Sequence, residues 1–142
     1  MKRAFLLLST LLVLAPLGAE EKKPAAGPRI SVEPSDPVRG GKGFDFGQAV
    51  QNKTLAKEFS IKNYGNQDLV IENVSTTCGC TAALLESKVV KPGGSTPMRV
   101  TLETRSSSGN IEKRILVRSN DPTTSLFEVT VEATVSAEKS EK

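Results

Sequence analysis

"LFEVTVEATV", residues 126–135, decides the fold class. Phe127, Val129, Val131, Ala133 and Val135 are apolar, and Glu128, Thr130, Glu132 and Thr134 stand between them. Side chains of a strand point alternately to opposite faces, so this stretch reads as a strand with one apolar and one polar face. The same signature recurs toward the amino terminus. "SNDPTT", which contains Asn120, is a turn, and before it Ile111, Ile115 and Val117 alternate with Lys113 out of pattern. "TRSSSGN" is a polar loop, and Met98, Val100 and Leu102 alternate strictly before it. "SKVV" ends at Pro92-Gly93-Gly94. Leu69 and Ile71 come after the turn "NYGNQD". Leu55, Phe59 and Ile61 share one face, with Lys57 a mismatch on it. Phe44 and Phe46 alternate until Gly47 breaks the run, and Ile30 and Val32 alternate until Pro34.

About seven to nine short one-sided strands at nearly regular spacing predict an all-β antiparallel sandwich. Such strands bury their apolar faces by packing two sheets roughly 10 Å apart. No apolar repeat of helical period exceeds two turns.

The first residues carry a different pattern. Lys2 and Arg3 precede an apolar run from Ala4 to Leu14, broken only by Ser9 and Thr10, and then Pro16 and "LGA". That is the layout of a secretory signal peptide, and the run is too short for a spanning helix. Residues 1–19 are read as the cleaved signal, 20–28 ("EEKKPAAGP") as a flexible lead, 29–135 as the sandwich and 136–142 as a charged tail. The expected location is outside the cytoplasm, periplasmic or extracellular, with no stable membrane insertion after cleavage.

Composition excludes several functions. The 142 residues contain 19 Lys and Arg against 16 Asp and Glu, and cleavage takes two of the basic ones, leaving a nearly neutral chain. No basic run interleaved with aromatics exists, so nucleic acid is not an expected partner. The chain has no histidine and no tryptophan. The commonest general base and metal ligand is therefore missing. No Gly-x-Ser-x-Gly elbow and no phosphate-cradling glycine loop appears. The expectation is a protein that is not an enzyme and needs no cofactor.

"FDFGQAV", "FSIKNYGNQDLVIENVSTTCGCT", "KPGGSTPMRVTLET" and "SGNIEKRILVRSNDP", in that order, closely resemble the DUF1573 family from about Phe44 to Val135. The resemblance implies an exported bacterial domain with an immunoglobulin-like sandwich, related to the Hydin and major-sperm-protein type. It implies no established activity. Where the family has a glycine after "DFGxV", this chain has Gln51-Asn52-Lys53, and Asn52 is able to take the left-handed backbone a glycine would take. Where the family has an aromatic-Asp pair, this chain has Leu102-Glu103. Most motif residues have structural readings: Phe44 and Phe46 as core, Asp45 bonding a nearby turn, Asn63, Gly65 and Asn66 in a tight reversal, and Pro92-Gly93 in a turn after a strand.

The two cysteines, Cys78 and Cys80, flank Gly79 and precede Thr81. In a straight strand their Cα atoms would be about 6.5–7 Å apart, at the limit for a disulfide, and Gly79 permits a bend that brings them closer. Four readings stand open. A local disulfide would fix the bend but add only about 1.5 kcal/mol by loop closure. An exchanging redox pair would need a thiol-activating cation, and only Lys88 and Lys91 offer one, through folding. Two thiolates on one face would suit Cu(I), whereas zinc lacks ligands here. Two packed free thiols complete the set.

Two functions emerge: a binding or scaffolding module that takes another exported protein along a sheet edge, or a thiol-redox or copper-handling protein. For the first, the strand 126–135 is the acceptor if it lies at an edge and plain core if it does not.

Overall fold

The computed structural model describes residues 26–34 and 43–137. The leader at 1–19 and most of the 20–28 and 136–142 segments lie outside the described residues. There are nine strands in chain order: β1 (Ile30–Glu33), β2 (Gly43–Val50), β3 (Thr54–Asn63), β4 (Leu69–Thr76), β5 (Thr81–Leu85), β6 (Val89–Val90), β7 (Ser95–Glu103), β8 (Gly109–Ser119) and β9 (Leu126–Ser136). They form a four-stranded sheet in the order β1-β3-β7-β5 and a five-stranded sheet in the order β2-β9-β8-β4-β6.

The alternating apolar residues meet between the sheets. Phe59 and Ile61 of β3 and Met98, Val100 and Leu102 of β7 face Ile71, Ile115, Val117, Val129, Val131 and Val135 of the other sheet, all buried. Aliphatic packing carries this core, and Phe59 and the half-buried Phe44 meet edge to face with centroids 6.0 Å apart.

The structure corrects three expectations and decides a fourth that the sequence left open. The sandwich is not wholly antiparallel, because β2 runs parallel to β9. The cause is a sheet switch: β1 pairs antiparallel with β3, and the chain then joins the other sheet as β2 without reversing direction. Second, β9 is no edge; it lies between β2 and β8 and is core. Third, Gly47 does not end its strand. It takes φ +73° at a bulge, where the β2–β9 register shifts between Asp45 and Gln48, and pairing resumes to Val50. Fourth, β5 occupies "TAALL", which lacks polar/apolar alternation and carries no strand signal.

The mismatch at Lys57 has a local solution. Its ammonium lies 4.5 Å from the centroid of the Phe44 ring, so the stem covers apolar surface while the charge meets a π face.

Candidate functional site

The motif residues separate into three places. At the end of the sandwich where β1 begins, Asn63 is 1% exposed and makes four side-chain hydrogen bonds. Its Oδ1 accepts from the backbone N–H of Arg29 (3.2 Å) and of Gly65 (3.0 Å). Its Nδ2 donates to the carbonyls of Gln67 (2.7 Å) and Val90 (3.0 Å). Gly65 is required by close approach, since a Cβ there would lie 2.0 Å from the Gly27 carbonyl oxygen. Gly93 takes φ +73° in the turn that Gly94 N–H closes on the Lys91 carbonyl (2.9 Å), and its own N–H donates to the Asn63 carbonyl (2.8 Å). Gly27, assigned by sequence to the flexible lead, donates to Asn66 Oδ1 and accepts from Asn66 N–H. Asn120 Oδ1 accepts from Val70 N–H (2.8 Å), and its Nδ2 donates to the Asp68 carbonyl (3.1 Å).

Sequence reasoning missed the charged member of this cluster, Asp121. Its buried carboxylate accepts from the N–H groups of Ile30, Thr123 and Thr124 and pairs with Arg29 at 3.1 Å. Burial pushes its pKa up, but the three N–H donors and the Arg29 guanidinium outweigh that and hold it below the ordinary 3.8. An Asp followed by Pro in a turn was the available signal. Every partner is already used within the fold, so this cluster is a structural lock rather than a site.

The second place is β2. Asp45 Oδ1 accepts from Gly47 N–H at 2.7 Å, so Asp45 stabilises its own bulge rather than a neighbouring turn. Phe44 and Phe46 pack edge to face, 5.2 Å apart, against the core rim. At the β2–β3 turn Asn52 has φ 59°, the left-handed backbone expected where a glycine is replaced.

The third place is the Cys78–Cys80 turn, which hands the chain from β4 in one sheet to β5 in the other. The cysteines form a disulfide with Cα atoms 5.3 Å apart; the pair lies in a bend, not along a strand. Thr76 Oγ1 bonds the carbonyls of Cys78 and Thr81, and Cys80 packs against the core. The cation that folding brings here is neither Lys88 nor Lys91. It is Arg105, whose Nη2 donates to the Gly79 carbonyl (3.1 Å) while its guanidinium pairs with Glu103. Lys91 pairs instead with Asp68. Among the described residues no group of three His, Cys, Asp or Glu is arranged to hold a metal.

Beyond the turn, β5 is an edge strand of the four-stranded sheet. Glu103 N–H donates to the Cys80 carbonyl and Glu86 N–H to the Pro97 carbonyl. By the two-residue period, Ala82 and Leu84 turn their main-chain groups toward β7, and Ala83 and Leu85 turn theirs outward. Thr81 also faces outward, but its N–H donates to the Cys78 carbonyl and its carbonyl accepts from Thr76. The available groups are thus the N–H and C=O of Ala83 and Leu85. They border a cleft of about 240 Å³ between β5 and Glu72–Val74 of β4. Leu84, 70% exposed on the outer face, is the most exposed large apolar side chain among the described residues.

The family model for a protein of unknown function, DUF1573, matches residues 40–135. The chain belongs to that family. No curated protein matches it in sequence. Among solved structures, this DUF1573 chain is similar to a protein of unknown function from Porphyromonas gingivalis W83, with TM-score 0.66 and 23% identity over 82% of this chain and 51% of that one. It is similar to the secreted serine protease VesC from Vibrio cholerae, with TM-score 0.54 and 12% identity over 80% of this chain and 23% of that one. It also resembles the ASH/PapD-like domain 7 of human CEP192, with TM-score 0.60 and 12% identity over 93% of this chain and 99% of that one. The chain spans about half the length of the first of these and under a quarter of the second. These likenesses establish an immunoglobulin-like sandwich.

Proposed function

We propose that this DUF1573 domain is an exported, non-enzymatic binding module that takes an extended segment of another exported protein along β5. The observation that carries the reading is the contrast between β5 and the other sheet borders. Natural sheets blunt their edges with bulges, prolines, charges or very short strands. Here β2 has the Gly47 bulge, β1 is four residues long and runs into Pro34, and β6 has two residues. The strand β5 has none of these devices over Thr81–Leu85, and it presents Leu84 to solvent. A strand added there would gain main-chain hydrogen bonds from Ala83 and Leu85 and apolar contact from Leu84. Such a complex needs no general base, nucleophile or cofactor, in keeping with the composition. Export rests on the leader at residues 1–19.

The test is a panel of eight-residue peptides with alternating apolar side chains, titrated while backbone amide resonances are recorded. Perturbation centred on Ala83 and Leu85 is the expected result. Ala83→Pro removes an outward N–H without touching the β5–β7 ladder, so it should abolish the response in a folded protein. Shifts confined to β2 or β9, or an unaltered response in Ala83→Pro, would overturn the assignment.

A further inference from the structure

We infer that two copies of the domain pair through β5 about a two-fold axis, in competition with an extended segment for the same main-chain groups; the assignment rests on the reading of β5 as the binding edge. The open part of that edge is short and closed at both ends. Thr81 gives its N–H to the Cys78 carbonyl, and its carbonyl accepts from Thr76 Oγ1. Ser87 N–H turns to Thr96 Oγ1, and Ser87 Oγ bonds the Val89 carbonyl. Between these two, Ala83 and Leu85 each offer one N–H and one C=O to an incoming strand.

In an antiparallel ladder a hydrogen-bonded pair of residues exchanges both N–H···O bonds. Setting Ala83 against the second copy's Leu85, and Leu85 against the second copy's Ala83, therefore uses every available group on both chains. The adjacent two-fold registers form fewer bonds. With Ala83 against its own copy, Leu85 meets the occupied Thr81; with Leu85 against its own copy, Ala83 meets Ser87, whose N–H is engaged. The favoured register also suits the side chains. On the cleft side it sets the small Ala83 beside the larger Leu85. On the outer face Leu84, 70% exposed, meets the second copy's Leu84 on the axis, and Glu86 stands against Ala82, so no like charges are opposed. Arg99, beside Leu84 on β7, has Glu58 opposite it on β3, so the row through the axis carries balanced charge. The two-fold consumes the undefended β5 edge of each copy, and the assembly stops at two. About five residues a side, against about 20–30 in a standard interface, make this a weak, concentration-dependent dimer.

The experiment places a thiol on the axis. In Leu84→Cys the two new thiols face each other as a non-hydrogen-bonded pair, with Cα atoms about 4.5 Å apart, within disulfide reach. Leu126, 47% exposed on the other sheet, supplies the collision control Leu126→Cys. Under a mild oxidant and at equal protein concentration, Leu84→Cys should form a cross-linked dimer several-fold faster than the control. Adding Ala83→Pro should bring it down to the control rate. Equal rates for the two thiol variants would overturn the inference. The alternating eight-residue peptides should slow the Leu84→Cys cross-link and leave the control unchanged; an unslowed cross-link would overturn the competition for one edge. Leu84→Lys sets two ammonium groups on the axis, so it should sediment as a monomer where the unaltered chain dimerises, with its amide response to the peptides retained. A dimer of unchanged strength in Leu84→Lys would overturn the register. Peptide shifts at Ala83 and Leu85 without a fast cross-link overturn the dimer and leave the segment reading standing; a fast cross-link without peptide shifts does the reverse.

Discussion

Replacing Asn63 with alanine tests the construction of the β1 end. The side chain is buried and supplies two acceptor contacts and two donor contacts, to Arg29, Gly65, Gln67 and Val90. At about 1 kcal/mol for each hydrogen bond removed, the loss is near 4 kcal/mol, because alanine leaves the partners facing a void. Against a total stability of about 5–15 kcal/mol, that is a large fraction. For a domain of this size it corresponds to a fall in melting temperature of about 15–30 °C. Asn63→Asp keeps the shape and the acceptor but turns an oxygen toward the carbonyls of Gln67 and Val90, so it should not rescue. Asn66→Ala, which removes one exposed contact to Gly27, should cost less than about 1 kcal/mol. Urea denaturation of the three variants, fitted with a common slope, gives the comparison. A loss below about 1.5 kcal/mol for Asn63→Ala would refute the four-bond hub, since a single bond accounts for that much.

The same geometry sets other outcomes. Gly65→Ala should destabilise far more than Gly47→Ala, as read by denaturation midpoints. The first forces a Cβ into the Gly27 carbonyl; the second meets nothing within 4 Å and carries only the strain of φ +73°, about 1–2 kcal/mol. Asp121 has a lowered pKa, so its contribution is fully present above 3.8 and is lost as pH falls through its folded value. Asp121→Asn should flatten the acid limb of the stability profile below about pH 4; an unchanged limb would contradict the lock. Serine at both Cys78 and Cys80 should cost about 1.5 kcal/mol or less, because the ring is so small. A loss several times larger in thermal unfolding would mean that the turn holds more than its own loop.

The sandwich was legible because eight strands repeat the 126–135 pattern in some form: their inward positions are mostly apolar, with Lys57 and Lys113 among the few interruptions. The strand β5 was not legible, because an edge strand beside a cleft needs no apolar alternation: Ala82 and Leu84 face solvent, and Ala83 and Leu85 are half-covered. Pairing direction was equally hidden, since alternation fixes faces and not neighbours; only the sheet switch after β1 makes β2 parallel to β9. The left-handed turn at Asn52 was readable from the residue type, whereas Arg105, also at positive φ (44°), carried no such signal. The candidate site was half visible. The Cys78–Cys80 bend stood out by composition, yet the edge it leads into had to be found from main-chain bonds that no side chain announces.

Between Thr76 and Ser95 the chain passes from one sheet to the other three times, through the disulfide turn, the Glu86–Lys88 link and the Lys91–Gly94 turn. The sandwich is therefore bound along that side like a book along its spine. Breathing motions should open it from the opposite margin, where Val50 and Leu55 line a surface pocket, and amide hydrogens of β2 should exchange with solvent long before those of β4 and β7.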